Sequence, residues 1–273
     1  MHFVSLVASE RKNGNCDILG RLAVRHALKA GADSGEVVYL KNFDIKECRG
    51  CLHCVFNNEE CRIDDDLYQL LEILKDADKL FLVAPVYVLT IPGKLKLLLD
   101  RFLTIAGAVK DKPEHYALSI GVAGINDWHQ FQLPLMNLFL LVLGYRIIDS
   151  KIFYGAGPGE VLLGKEMDGF PEQLYRLINY PGGPFRSGVS NTCPVDFCSV
   201  FERIDDKHYR CPVCLTPAER VENGYYFDAR DLNNHRWTRE RLKDHFNGWI
   251  LKTKPRFRAM LREISAKKRE LGI

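Results

Sequence analysis

The chain has 273 residues, of which 47% are hydrophobic and 27% charged. That composition supports a sizeable core, in one large domain or two ordinary ones, and excludes global disorder. A net charge of +3, from 38 basic against 35 acidic residues, is too balanced for nucleic acid to be the main partner.

The start, Met1-His2-Phe3-Val4-Ser5-Leu6-Val7-Ala8, has no basic leader region and too short an apolar run for a signal peptide. No stretch reaches the ~20 apolar residues of a membrane span. The longest apolar run, 133–143, is interrupted by Pro134 and Asn137. Nine cysteines without a leader point to a reducing compartment, and to metal or redox use rather than disulfides. The expectation is a soluble, cytoplasmic protein with no membrane partner.

Residues 3–8 are apolar and partly β-branched and read as a buried first strand. The polar loop Ser9-Glu10-Arg11-Lys12-Asn13-Gly14-Asn15-Cys16 follows. Ile18, Leu19, Leu22, Ala23, Ala27 and Leu28 recur at helical spacing, and Gly31 and Gly35 bracket the turn that stops the helix. Residues 36–40 form a second strand. Asp64-Asp65-Asp66 predicts an N-cap and acidic first turn for a helix through Leu67, Leu70, Leu71, Ile73 and Leu74. Residues 79–84 are a third strand ending in Pro85-Val86-Tyr87. Leu95, Leu98, Leu99, Phe102 and Leu103 mark a helix. Residues 115–122 are a fourth strand ending in Gly121-Val122-Ala123-Gly124. A helix over 130–143 and a fifth strand over 145–153 complete the series.

Strands alternating with helices in this way predict βαβ units, hence a parallel sheet with helices on both faces. Ligands of such sheets bind beyond the carboxyl ends of the strands. The loop after the first strand suits that place. It runs into a helix N-terminus, where free N–H groups and the dipole favour an anion, and Ser9, Arg11, Asn13 and Asn15 can donate to phosphate oxygens. No G-x-G-x-x-G is present, so the loop fits one phosphomonoester rather than a dinucleotide.

Directly after the second strand come Cys48, Cys51, Cys54 and Cys61, spaced C-x2-C-x2-C-x6-C. Four thiolates in so compact a run suit a 4Fe-4S cluster. They fit a disulfide framework poorly and lack the two distant pairs of most zinc sites. Zinc, or free redox-active thiols, are the alternatives. The last spacer is longer than in bacterial ferredoxins, and Arg62 rather than Pro follows it. Arg49, His53 and Arg62 flank the motif, either offsetting cluster charge or as solvated surface residues.

After Phe153 the composition shifts. Gly155-Ala156-Gly157-Pro158-Gly159 reads as a loop, residues 170–178 as a short helix, and Tyr180-Pro181-Gly182-Gly183-Pro184 as a linker. A second cysteine set follows: Cys193, Cys198, Cys211 and Cys214, flanking a hairpin over 201–209 with Asp205-Asp206 at its turn. This resembles a zinc ribbon, with iron of rubredoxin type as the runner-up. Such a site stabilises a unit too small for its own core. Only Cys16 stands outside the two sets. Thr238 is a candidate cap for a basic helix through Leu242, Phe246, Trp249, Ile250 and Leu251, interrupted at Pro255. A second helical run continues through Phe257, Met260, Leu261 and Ile264. Interspersed acidic residues make this tail a solvated amphipathic face rather than a nucleic-acid site. Its apolar stripe is expected to pack on the first domain or on a second subunit.

The loop S-x-R-K-N-G-N, the A-P-V-Y turn after the third strand, the K-x-K-L-L-L-D-R helix behind it and the glycine-bearing loop after the fourth strand together resemble the flavodoxin-like NADPH-dependent FMN reductases. The cysteine motif after strand two narrows the resemblance to the iron–sulfur flavoprotein branch, over residues 1 to about 155. The resemblance implies a flavodoxin-like, doubly wound, five-stranded parallel sheet over residues 1–185, with a cluster loop at 47–62. Residues 186–273 would add a small zinc-ribbon-like and helical extension.

It further implies that Ser9, Arg11, Asn13, Asn15 and Cys16 hold the FMN phosphate, that Pro85, Val86, Tyr87 and Val88 line the isoalloxazine ring, and that Gly121, Val122, Ala123 and Gly124 approach its other edge. The family usually has Ser or Thr where this chain has Cys16. The backbone N–H can still serve there, though a thiol donates more weakly. Cys16 as a cluster ligand is the alternative. The implied activity is an FMN-dependent oxidoreductase. It would move electrons between a reduced carrier (ferredoxin-like or NAD(P)H), a 4Fe-4S cluster and FMN, to an acceptor, in a homo-oligomer (dimer or tetramer). Tyr87, Asn126, Trp128 and His129 are candidates to shape a substrate pocket, and no side chain is singled out for acid–base catalysis. Two other functions compete: an NAD(P)H-dependent FMN or quinone reductase whose cysteine loop is structural, and a redox-sensing module that binds a partner through its zinc ribbon and basic tail.

Overall fold

The computed structural model describes residues 1–57, 59–104 and 115–273. Asn58, within the predicted cluster loop, and the segment 105–114 lie outside the described residues. Five parallel strands, β1 (His2–Val7), β2 (Ser34–Tyr39), β3 (Lys79–Pro85), β4 (His115–Ala123) and β5 (Tyr145–Tyr154), form one sheet in the order β2-β1-β3-β4-β5. Strand order reverses at β1, so the loops after β1 and β3 open into one crevice.

The central strands are continuous apolar runs because both faces are covered. The two-residue period of β1 sends Phe3 and Val7 to one face and Val4 and Leu6 to the other. On the first face lie α1 (Asn15–Lys29) and, from later in the chain, the helix Phe170–Ile178. They contribute Leu19, Ala23, Ala27, Phe170, Leu174 and Leu177. A short helix, α2 (His53–Asn57), lies inside the cysteine loop. On the second face lie α3 (Leu67–Asp76), α4 (Gly93–Asp100) and α5 (Gln132–Val142). Phe170–Ile178 is therefore α6.

The acidic triplet before α3 caps it only in part, and through Asp65 rather than Asp66. Asp66 makes no side-chain cap; its carboxylate accepts the Asp44 N–H at 2.7 Å. Asp65 accepts the Lys46 N–H at 2.9 Å. The triplet therefore serves both sides: Asp65 Oδ1 accepts the N–H of Leu67, the first residue of α3, at 3.3 Å, while the other contacts hold the arm that enters the cysteine loop.

Beyond α6 a second, antiparallel sheet has the order β6-β10-β9-β8-β7. Its strands are β6 (Gly188–Ser190), β7 (Glu202–Arg203), β8 (His208–Arg210), β9 (Pro217–Val221) and β10 (Gly224–Phe227). The predicted hairpin is the β7–β8 pair. Cys193, Val195, Cys198, Cys211, Cys214 and Phe227 join the same buried cluster as Leu140 of α5 and Ile147 of β5, so this small sheet packs on the second face of the large one.

Three helices end the chain: α7 (Ala229–Leu232), α8 (Arg239–His245) and α9 (Thr253–Leu271). Thr238 caps α8 by accepting the Arg241 N–H, as predicted. The tail does divide into two helical runs, but the break falls at Leu251 and Lys252, just before Pro255, which sits in the first turn of α9, where no intrahelical N–H is needed. No residue of α9 is buried, and Phe257, Met260 and Leu261 are exposed. Its apolar stripe thus does not pack on the described residues of the first domain; Lys254 reaches the Phe56 carbonyl at 3.3 Å. Among the described residues no helix is long and apolar enough to cross a membrane.

Candidate functional site

The β1–α1 loop is built to present backbone donors. No side chain caps α1 at Gly14, so its first-turn N–H groups face the crevice with the positive end of the helix dipole. The loop is held from behind by Asp17, 4% exposed. Its carboxylate accepts from the Asn13 N–H at 2.7 Å, the Tyr39 hydroxyl at 2.7 Å and Arg21 Nε at 3.2 Å. Burial alone would raise the Asp17 pKa; the Tyr39 and Asn13 hydrogen bonds and the Arg21 charge outweigh it and hold it below the usual carboxylate value. This anchor stands within a helix, where nothing in the sequence pattern marks it.

A cavity of about 220 Å³ opens at this point. Ser9, Arg11, Asn15, Cys16, Pro85, Val86, Tyr87, Val122 and Gly124 line it, all expected at the flavin. Gly14, Gly155 and Ala156 also line it. The 155–159 turn was expected to be a plain loop. In the fold Asn15 clamps it: Asn15 Nδ2 donates to the Gly155 carbonyl at 2.8 Å, and the Gly159 N–H donates to Asn15 Oδ1 at 2.8 Å. The Asn15 side chain is therefore occupied by this turn. Asn13, Val88, Gly121 and Ala123 do not line the cavity. Asn13 supports the loop with φ of 56°, and Gly121 permits close packing, since a Cβ there would lie 2.7 Å from Gln132 and Ile152. Cys16 is a neutral thiol, its pKa pushed up to about 12 by burial. An uncapped helix N-terminus, an arginine and small residues on the far wall fit a phosphate-bearing flavin.

At the rim, Tyr154 Oη donates to Asn126 Oδ1 at 2.8 Å and lies 3.0 Å from His129 Nε2. Val88, Trp128 and Phe131 are exposed there, and the Phe131 N–H donates to the Leu89 carbonyl, joining the two ring-side loops. A larger cavity, about 670 Å³, lies by Tyr145, Arg146, His235 and Trp237. It is at the amino end of β5, away from the ligand edge of such a sheet.

The cysteine loop leaves the carboxyl end of β2, next to β1, as expected. Cys48 and Cys51 are exposed, and Cys54 and Cys61 half-buried. Behind Cys61 stands Arg101, whose side chain is 1% exposed. Its Nη1 donates to Asp65 at 2.6 Å and to the Lys46 carbonyl at 3.1 Å, and the Cys61 N–H donates to Tyr68 Oη at 2.6 Å. Arg101 Nε and Nη2 have no acceptor among the described residues, and Cys61 lies within electrostatic reach of the guanidinium. Buried donors of this kind fit an anionic sulfur group beside Cys61. His53 and Arg62 instead pair with Glu59 at the surface.

Among the described residues, one set of ligand atoms does converge. Those of Cys193, Asp196, Cys211 and Cys214 all lie within 4.8 Å of one another, and all four residues are buried. Cys193 and Cys214 Sγ are 3.3 Å apart, and Cys211 Sγ is 3.2 Å from Asp196 Oδ2. Cys198, also buried, donates from Sγ to the Val200 carbonyl at 3.2 Å. Burial would raise the Cys214 pKa, but hydrogen bonds from Cys193 and Cys211 bring it down to about 6. Three thiols and a carboxylate without a lysine or arginine among them form the donor set of a soft cation such as zinc. The sequence had suggested the cysteines and missed Asp196.

The profile of the NADPH-dependent FMN reductase family matches residues 1–154. An iron–sulfur flavoprotein of Methanosarcina thermophila is 30% identical over 141 residues, 47% of this chain and 72% of that protein. One of Methanocaldococcus jannaschii is 35% identical over 163 residues, 57% of this chain and 81% of that protein. The solved structure of a flavone reductase superposes with a TM-score of 0.70 at 18% identity, covering 98% of this chain and 97% of that one. At that identity the likeness shows a shared fold, and it extends through the C-terminal sheet.

Proposed function

Because the chain belongs to the NADPH-dependent FMN reductase family and has iron–sulfur flavoproteins among its relatives, we propose that this FMN-dependent oxidoreductase is itself an iron–sulfur flavoprotein. In this reading residues 1–185 carry FMN and a 4Fe-4S cluster, and residues 186–273 carry a structural zinc. The observation that carries it is adjacency. The cysteine loop after β2 and the uncapped α1 terminus after β1 emerge from neighbouring strands at the same sheet edge. When bound, FMN supplies one- and two-electron chemistry and the cluster supplies one-electron transfer.

The chain's own residues have defined tasks. Ser9, Arg11 and the first-turn N–H groups of α1 hold the phosphate, and Asp17 keeps their loop in place. Pro85, Val86 and Tyr87 form one wall for the ring; Gly124, Gly155 and Ala156 leave room on the other. Cys48, Cys51, Cys54 and Cys61 supply the cluster thiolates, and Arg101 directs two buried N–H groups to the sulfur side. The electron donor is a reduced carrier of ferredoxin type or NAD(P)H. A second copy of the chain covers the exposed rim at Val88, Trp128 and Phe131.

Metal, sulfide and flavin analysis of anaerobically purified protein tests this. About four irons with matching acid-labile sulfide per chain support the cluster. FMN without sulfide sinks it and favours the second function, an NAD(P)H-dependent FMN or quinone reductase with a structural loop. The exposure of Cys48 and Cys51 is the feature that speaks for that alternative.

A further inference from the structure

The two knuckles of the C-terminal site are copies of one turn. The first reads Cys193-Pro194-Val195-Asp196-Phe197-Cys198 and the second Cys211-Pro212-Val213-Cys214-Leu215-Thr216. In the first, the Phe197 N–H donates to the Cys193 carbonyl at 2.8 Å, and the Cys193 N–H to the Cys198 carbonyl at 2.8 Å. In the second, the Leu215 N–H donates to the Cys211 carbonyl at 2.9 Å, and the Cys211 N–H to the Thr216 carbonyl at 3.0 Å. Phe197 and Leu215, four residues after the leading cysteine in each, both adopt left-handed backbone, with φ of 59° and 62°. In each knuckle the side chain three residues after the leading cysteine belongs to the converging set. That position is Cys214 in the second knuckle and Asp196 in the first. Cys198 aligns with Thr216, whose Oγ1 lies 3.1 Å from Cys214 Sγ, so this position in the second knuckle supports a thiol of the converging set without belonging to it.

The contacts agree with the alignment. Asp196 is fully buried. Its Oδ1 accepts the Cys198 N–H at 3.0 Å, and its carboxylate lies 3.2 and 3.4 Å from Cys211 Sγ. Its backbone is fixed to the large sheet, because Asn137 Nδ2 donates to the Asp196 carbonyl at 2.8 Å. Asn137 in turn bonds Ser150 and Ser119 within the core. A carboxylate held so firmly among three thiols, with no basic side chain at hand, is placed as a ligand rather than as a stray buried charge.

We propose that the C-terminal metal is held by Cys193, Asp196, Cys211 and Cys214, with Cys198 outside the ligand set. The inference rests on the reading that a metal occupies these knuckles. It also selects the metal class. Three thiolates and one hard oxygen donor suit tetrahedral zinc, whereas rubredoxin-type iron takes four thiolates. Cys198, against Val200 and near Cys211, then supports a ligand from the second layer.

Full-length protein with Cys198→Ser, Asp196→Asn and Asp196→Cys tests the assignment. The readouts are zinc per chain, zinc retention against a chelator, and the absorption of the cobalt-substituted protein, whose sulfur-to-metal bands count thiolates. Cys198→Ser should keep one zinc and an unchanged three-thiolate cobalt spectrum. Asp196→Asn should weaken retention by more than the ~10–100-fold expected of an outer-layer change. Asp196→Cys, which gives both knuckles the same first four residues, should keep zinc and gain one thiolate in the spectrum. That gain does not depend on whether Asp196→Asn folds. A wild-type spectrum of four thiolates that drops to three in Cys198→Ser overturns the assignment while leaving a metal site in place. Wild-type protein that binds neither zinc nor cobalt overturns the metal reading itself.

Discussion

The two cysteine sets of this chain are opposite in burial and in how far their thiols converge. The C-terminal set is buried in a shell made by two matched turns and the face of the large sheet, and its ligand atoms converge. The loop set is exposed or half-buried and is fastened only at its two necks, at Lys46 through Asp65 and Arg101 and at Cys61 through Tyr68. Burial and convergence mark a site whose metal contributes to folding. In the proposed reading, the open loop next to the flavin crevice exchanges electrons with the outside, and its geometry is completed by the cluster it binds.

Perturbing each set separately sharpens the contrast. Cys214→Ala should have the largest effect on stability, above about 4 kcal/mol, because it removes a ligand from a buried site and leaves the other thiols facing one another. A thermal melt should fall by ~10 °C or more. Asn137→Ala should cost about 1–3 kcal/mol, leaving Ser119, Ser150 and the Asp196 carbonyl short of a partner. It should also speed the reaction of the C-terminal thiols with a thiol reagent. Tyr68→Phe should cost roughly 1 kcal/mol by removing the acceptor of the Cys61 N–H. The paired change Cys48→Ala and Cys51→Ala should alter stability by no more than ~0.5 kcal/mol, since both residues are exposed. FMN binding should survive it while iron is lost. A stability loss in the loop variant comparable to that of Cys214→Ala would erase the distinction.

The large sheet was legible because its central strands β1 and β3 are apolar on both faces and helices such as α3 carry a 3.6-residue apolar stripe. The small sheet was legible only at its hairpin. Gly188–Ser190, Pro217–Val221 and Gly224–Phe227 are short and half-exposed, and Pro217 reads as a turn residue. Most cavity-lining residues could be expected from the loops after β1, β3 and β4. Gly155 and Ala156 reach the same cavity from the end of β5, held there by the Gly155 N–H on the Ala123 carbonyl and by the clamp through Asn15. Asn137 looked like a break in an apolar run; its buried hydrogen bonds make it an anchor between the two sheets. Asp196 and Arg101 were invisible for a related reason. A charged residue is read as surface unless a buried partner is known, and their partners are distant in sequence or absent from the protein chain. The acidic triplet at Asp64-Asp65-Asp66 was read only in part, since its acceptors serve the arm into the cysteine loop as well as the first N–H of α3.

The central claim is that the two sets hold different inorganic groups for different purposes. It is tested most directly by measuring iron, acid-labile sulfide and zinc together in the wild type, the Cys48→Ala/Cys51→Ala variant and the Cys214→Ala variant, all purified without air. The account predicts that iron and sulfide vanish from the loop variant while zinc stays at one per chain, and that zinc falls in Cys214→Ala. Iron and sulfide persisting in the loop variant, or no sulfide in any of the three, would contradict it.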